Sequence, residues 1–274
     1  AWSPAKAALV RDLFVKAAAS IERGEARTLA ADRRSVLIGR LGPVKAAALL
    51  ERLPEAYVLA CEVDEMIEHA ALLDAARNGP VVRCEVSERD VVVTVVTADR
   101  PGLLATLAGA MAAAGLDVTE AGCFATADGL ALDVFRASDP FGRAVEQPAV
   151  VEALVADVLS GAVDVGKRVA ERRRAYAPRR GAPGTTSVTI APDGSASDTV
   201  VEVHADDDVG LLARLAGTFA ELGLDVRLAK VATLGTRVVD VFYVRTAAGT
   251  PVVDPLARER IRAAVAASVS SGDA

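Results

Sequence analysis

Residues Asp99–Val118, DRPGLLATLAGAMAAAGLDV, return at Asp207–Val226 as DDVGLLARLAGTFAELGLDV, an offset of 108 positions. Over residues 99–121 and 207–229, 14 of 23 positions are identical, including Asp99/Asp207, Gly102/Gly210, Leu103/Leu211, Leu104/Leu212, Gly115/Gly223 and Asp117/Asp225. Chance does not give that density, so whatever fold the chain adopts must present one loop and one helix twice. The offset drops to 107 at Asp133-Val134-Phe135 and Asp240-Val241-Phe242, which puts one extra residue in the first unit's hairpin.

The residues around the repeat show a fixed order of periods. VVRCEV and DVVVTVV are β-branched runs joined by polar SERD, PGLLATLAGAMAAAG is helical, LDVTEAGCFAT and LALDVFRAS are strands joined around Asp128-Gly129, and QPAVVEALVADVLSG is a second helix. The second unit repeats this with TSVTIA, DTVVEVHA, helix 209–222, LDVRLAKVATL, TRVVDVFYVRT and PLARERIRAAVAASV. The expected class is α+β, with two ferredoxin-like antiparallel sheets carrying helices on one face. In the usual ferredoxin-like order a strand follows the second helix; here none is evident. The preceding strand, Val81–Val86 or Ser187–Ile190, is expected to take that edge.

Residues 1–80 read as a helical segment. Ala8, Leu9, Leu13, Val15 and Ala19 form a stripe over residues 5–23, Gly42-Pro43 and Pro54 break the later helices, and VDEMIEHAALLDAARNG opens at Val63 or Asp64. The expected domains are 1–80, helical; 81–165, first unit; 166–185, basic linker; and 186–274, second unit. Arg172, Arg173, Arg174, Arg179 and Arg180 read as a helix end running into a solvated connector, the alternative being a dock for an anionic protein or nucleotide.

Composition removes several classes. A formal charge of −6 and 4% aromatic residues argue against a nucleic-acid surface. No apolar run nears the roughly 20 residues of a membrane helix, and AWSPAKAALVRDLF lacks signal-peptide layout. Cys61, Cys84 and Cys123 form no CxxC pair and are odd in number, which fits buried thiols in a cytoplasmic protein. The chain begins without Met, and a piece of a longer protein is expected.

In each unit an apolar strand enters an acidic turn, then a glycine and two leucines open a helix. Gly102 and Gly210 let a ligand or a backbone come close, and helix-start amides suit a carboxylate. Asp99 or Asp207 either caps the helix or faces an ammonium group, and in the capping reading Pro101 starts the helix. The leucines read as core. A carboxylate end beside an acid describes an amino-acid site.

These residues resemble the ACT domain, a small regulatory fold that binds amino acids at the turn between its first strand and first helix, generally where two such domains meet. LAKVATLGTRVVDVFYV and SDTVVEV resemble more closely the C-terminal part of the bifunctional uridylyltransferase/uridylyl-removing enzymes that modify the PII nitrogen-signalling protein. AWSPAKAALVRDLFVKAAASI and LPEAYVLACEVDEMIEHAALL resemble the helical stretch preceding the first ACT domain there. The resemblance implies glutamine sensing, with the catalytic domains of a parent enzyme and PII as partners, and ACT–ACT pairing within the chain or across a homodimer. It places ligand contacts at Asp99, Arg100, Gly102 and Leu103, and at Asp207, Asp208, Gly210 and Leu211. Asp208 and Val209 depart from Arg100 and Pro101, and an added acid would repel a ligand carboxylate, so the first turn is the favoured site.

Nothing in the chain calls for a cofactor or metal. His69 and His204 lie in no His-Asp pair, and the nucleotidyltransferase Gly-Ser turn with paired carboxylates is missing, so a regulatory part rather than an enzyme is expected. Two rivals stand: a free-standing tandem regulator unconnected to uridylyl transfer, and a phosphoryl-transfer enzyme using HADDD, residues 204–208, as a metal site. The latter conflicts with alternating strand side chains.

Overall fold

A computed structural model describes residues 25–87, 90–139, 147–175, 184–191, 195, 197–234 and 236–270. The stripe at 5–23 and Arg179 and Arg180 lie outside these. Four helices come first: α1 (Glu25–Leu41), α2 (Pro43–Arg52), α3 (Glu55–Ala60) and α4 (Val63–Ala75). The first repeat follows as β1 (Val81–Ser87), β2 (Asp90–Ala98), α5 (Leu103–Ala114), β3 (Asp117–Ala125), β4 (Leu130–Ser138) and α6 (Pro148–Ser160). After α7 (Val165–Ala175) the second repeat gives β5 (Ser187–Ala191), β6 (Thr199–Asp206), α8 (Leu211–Glu221), β7 (Leu224–Leu234), β8 (Arg237–Thr246) and α9 (Pro255–Ser270).

Each repeat forms an antiparallel four-stranded sheet completed from its N-terminal side, as expected: β1 lies on β2 and β5 on β6. The two sheets are not separate. They join edge to edge into one eight-stranded sheet of order β1-β2-β4-β3-β7-β8-β6-β5. The joint is the antiparallel pairing of β3 and β7 at Glu120↔Lys230, Ala121↔Ala229 and Gly122↔Leu228. Ala121 and Ala229 are equivalent by repeat, so a pseudo-twofold axis passes between them, and Glu120 and Lys230 add an ion pair at 3.2 Å. The ACT-like units therefore pair within the chain.

The same axis relates α5 and α8. A Cβ built on Gly109 would lie 3.9 Å from the Ala213 Cβ, and one on Gly217 would lie 3.9 Å from the Ala105 Cβ. Small residues at repeat-equivalent positions bring the helices together. Beneath them Val91, Val93, Val95, Leu107, Phe135, Val201, Leu215 and Phe242 form one apolar core shared by both repeats.

The opposite face separates the repeats. In β2, Val96 is fully buried and Thr94 is buried, and with Phe124, Leu132 and Val134 they lie under α1–α4, where Leu37, Tyr57, Met66 and Leu73 complete a second core. In β6 the equivalents of Thr94 and Val96 are half-buried Glu202 and His204, which bond to each other. Among the described residues, helices lie on one face only of the second repeat, while the first is covered on both. The sequence carries the reason. Val91–Val96 is apolar on both strand faces apart from Thr94, whereas TVVEVHA alternates over its second half.

Within the helical segment, α4 begins at Val63, and its cap is Glu62. The Glu62 side chain takes an amide of the first turn and Glu65 takes the Glu62 N–H at 2.9 Å. His69 is buried, with Nδ1 3.1 Å from the Tyr57 hydroxyl, and burial pushes its pKa down to about 4.

Candidate functional site

β2 and β6 each leave the sheet through a four-residue turn that enters a helix on the core face: Asp99-Arg100-Pro101-Gly102 before α5, and Asp207-Asp208-Val209-Gly210 before α8. Both turns are built alike. The Asp99 N–H donates to the Gly129 carbonyl at 3.0 Å and the Asp207 N–H to Thr236 at 2.9 Å; Leu103 and Leu211 close back onto the Arg100 and Asp208 carbonyls at 3.2 and 3.1 Å. Leu103 and Leu211 are core residues.

The helix cap is glycine, correcting the capping reading of the aspartates. Gly102 and Gly210 occupy the left-handed region at φ 76° and 79°, and neither helix has a side-chain cap. Pro101 lies in the turn and does not start the helix. Asp99, Arg100 and Asp207 are exposed. The first-turn amides of each helix have no intrahelical acceptor, which leaves an anion-favouring end at each turn.

The turns differ in what covers them. A Cβ on Gly102 would meet nothing within 4 Å, but one on Gly210 would lie 2.7 Å from Val169 Cγ1 of α7. Asp208 is held by two arginines, Arg173 of α7 at 2.9 Å and Arg214 of α8 at 2.8 Å. The acid that replaces Arg100 is thus consumed by the chain's own cations. The arginine run of the expected linker is in part the end of α7, which crosses both repeats: Val165 packs at Gly109, Val169 at Gly210, and the Arg172 guanidinium covers Gly115. The first turn is open at its glycine, and the second is filled.

Under each turn sits a buried carboxylate that the sequence reading did not single out as functional. Asp133 in β4 and Asp240 in β8 are 3% and 1% exposed, and one oxygen of each has no hydrogen-bond partner in the structure. Burial pushes Asp133 up to about 7, and Asp99 and Asp225 add to the rise. Burial pushes Asp240 up to about 8, with Asp207 adding. The available signal was the DVF shared by both repeats, an acid in mid-strand between core residues.

β7 contributes one more charge. Its register against β8 shifts between Val226 and Leu228, so Arg227 is the bulged residue, as Thr119 is on β3. The Arg227 side chain is 16% exposed and lies 3.9 Å from Asp225. It also acts on Cys123, the strand partner of Asp133. Asp99, Asp133 and Asp225 thus share a neighbourhood with one guanidinium, at the junction of the first turn and the second repeat.

Each turn is braced from behind. The hairpin that receives the Asp99 amide is tied to α2, where Ala127 N–H donates to the Arg52 carbonyl at 2.9 Å and the Arg52 guanidinium pairs with Asp128 at 2.9 Å. At the second turn Arg237 joins Asp206 at 2.9 Å to the Thr185 carbonyl at 2.6 Å. Asp206 and Asp208 of HADDD have therefore separate partners, and His204 pairs with Glu202. Among the described residues no group of three or more His, Cys, Asp or Glu side chains is placed to hold a metal ion, and no helix is long and apolar enough to cross a membrane.

Residues 199–266 match the family model described as the ACT domain. The second repeat is an ACT domain. The first shares its strand order and the 14 identities of the turn and helix, and the helical segment packs on it. Over nearly the whole chain it is similar to the bifunctional uridylyltransferase/uridylyl-removing enzymes. That of Gluconobacter oxydans is 32% identical over 98% of this chain and 30% of its own length, and that of Rhodospirillum rubrum is 32% identical over the same shares. The enzyme of Phenylobacterium zucineum is 32% identical over 100% of this chain and 31% of its own. The chain thus spans about a third of the length of these relatives. Among solved structures an aspartate kinase from Synechocystis overlaps 68% of this chain and 28% of its own, at 12% identity and a TM-score of 0.38.

Proposed function

We propose that this chain is an amino-acid-sensing regulatory module whose working ligand site is the first ACT turn, Asp99, Arg100, Gly102 and Leu103, against the start of β7. The observation that carries the reading is the contrast between the two turns: Gly102 is open, while Gly210 lies under Val169 and Asp208 is pinned by Arg173 and Arg214. A ligand carboxylate suits the helix-start amides, and a ligand ammonium suits the acids that gather there. The Asp207, Asp208, Gly210 and Leu211 turn serves to dock α7.

The similarity to uridylyltransferase/uridylyl-removing enzymes supports glutamine as the ligand and PII as the protein whose modification the module controls, through catalytic domains outside this chain. Binding at the junction of the repeats would favour one arrangement of the turn, the 126–130 hairpin and α2 over another, and that differential affinity is the signal. Titration calorimetry with glutamine on the wild type and Gly102→Val tests the site. Valine there is strained in the left-handed region and fills the open space. Heat from the wild type and none from folded Gly102→Val is expected. No heat from the wild type at millimolar glutamine refutes the glutamine reading, and equal binding by both proteins moves the site elsewhere.

A further inference from the structure

We propose that Asp133, beneath the first turn, is the acceptor for the α-ammonium group of the amino acid bound there, a role that rests on the amino-acid reading above. A carboxylate in mid-strand is costly to bury and is usually retained only where something pairs with it. Asp133 shares the core-facing side of β4 with Ala131 and Phe135, at the register of Val95 on β2 and Cys123 on β3. No cation is among the groups that act on it directly; Arg227 acts on its neighbours Cys123 and Asp225. The groups that act on it are the Cys123 thiol from β3, Asp99 from the turn and Asp225 from β7, and its Oδ2 is left unpartnered.

Two exposed acids, Asp99 and Asp225, acting on the orphaned Asp133 carboxylate favour a cation entering from the turn. Arg227, 3.9 Å from Asp225, adds a positive charge near the helix-start amides that suit the carboxylate end of the same molecule. An α-amino acid carries both charges. Asp240 is the counterpart beneath the second turn, where α7 has filled the approach.

The test compares L-glutamine with its des-amino analogue 4-carbamoylbutanoate by calorimetry, on the wild type, Asp133→Asn and Asp240→Asn, with circular dichroism confirming the fold of each. The wild type is expected to prefer glutamine by about tenfold or more, the size of one charge-assisted hydrogen bond. Asp133→Asn is expected to bind both compounds with similar affinity, and Asp240→Asn to keep the wild-type preference. A wild-type protein with no preference, or Asp133→Asn retaining the wild-type preference, overturns the assignment while leaving the site in place. Absence of heat from the wild type with glutamine and with each of the other protein amino acids removes the site and the assignment together.

Discussion

Replacing each turn glycine by alanine separates an open turn from a filled one without any ligand. At Gly102 and Gly210 the backbone cost is the same, because φ is 76° and 79°, and an L-residue in the left-handed region costs about 1–2 kcal/mol. At Gly102 the new methyl meets nothing within 4 Å, so the cost stops there. At Gly210 it arrives 2.7 Å from Val169 Cγ1, more than about 0.8 Å inside the ordinary carbon–carbon separation. Val169 is β-branched and stiff, and α7 is held by Val165 and by the Arg173 ion pair, so relief requires moving the helix. Overpacking of this kind adds about 1–3 kcal/mol. Urea unfolding followed by circular dichroism should therefore place Gly210→Ala about 1–3 kcal/mol below Gly102→Ala. In a Val169→Ala background the excess should vanish, a coupling of about 1 kcal/mol or more. Equal costs for the two alanines in the wild-type background, or a coupling near zero, would refute the claim that α7 fills the second turn.

Stability should fall as pH rises through neutrality. Asp133 and Asp240 are pushed up to about 7 and about 8, so between about pH 4 and these values the folded chain holds protons that the unfolded chain has released. Across that window the difference is at most about 4 kcal/mol for Asp133 and about 6 kcal/mol for Asp240, and Asp133→Asn/Asp240→Asn should unfold at nearly the same urea midpoint at pH 5 and pH 8 where the wild type loses stability. In the native state Cys61, Cys84 and Cys123 should resist a thiol reagent at pH 8, since burial pushes Cys61 up to about 12, Cys84 up to about 11 and Cys123 well above the usual thiol range; all three should react in denaturant. Arg173→Ala should speed amide exchange across α7 and lower stability by about 1 kcal/mol or less, given how much of the pair remains solvated. Unchanged exchange there would show that Arg173 does not anchor the helix.

The strand order and the pairing of equivalent units were legible because strand and helix periods differ and the repeat fixed their boundaries. The seam was not, although its residues were in view. Ala105/Ala213, Gly109/Gly217 and Ala121/Ala229 are among the repeat identities, yet alanine and glycine in a helix or strand give no sign of which neighbour they admit. The docking of α7 depends on Arg173 meeting Asp208, 35 residues away, and a charge run read locally looks solvated. Glycine rather than aspartate as helix cap follows from a turn already closed by backbone bonds, which leaves the side chain no role there. Arg227 was hidden because a bulge changes where a residue points without changing the sequence pattern around it.

The three-residue pairing of β3 with β7, the close contact of α5 with α8 and the core they cover join two halves of one polypeptide. Joined in this way, the partners meet at an effective concentration on the millimolar scale, so the contact need not hold them together unaided. Such a contact is also what a small molecule wedged at the junction is able to shift, since the free energy it must supply is set by the contact it replaces. Fusion further frees the two halves from matching: in a homodimer every substitution appears on both sides, whereas here one half has closed over its turn and the other has stayed open.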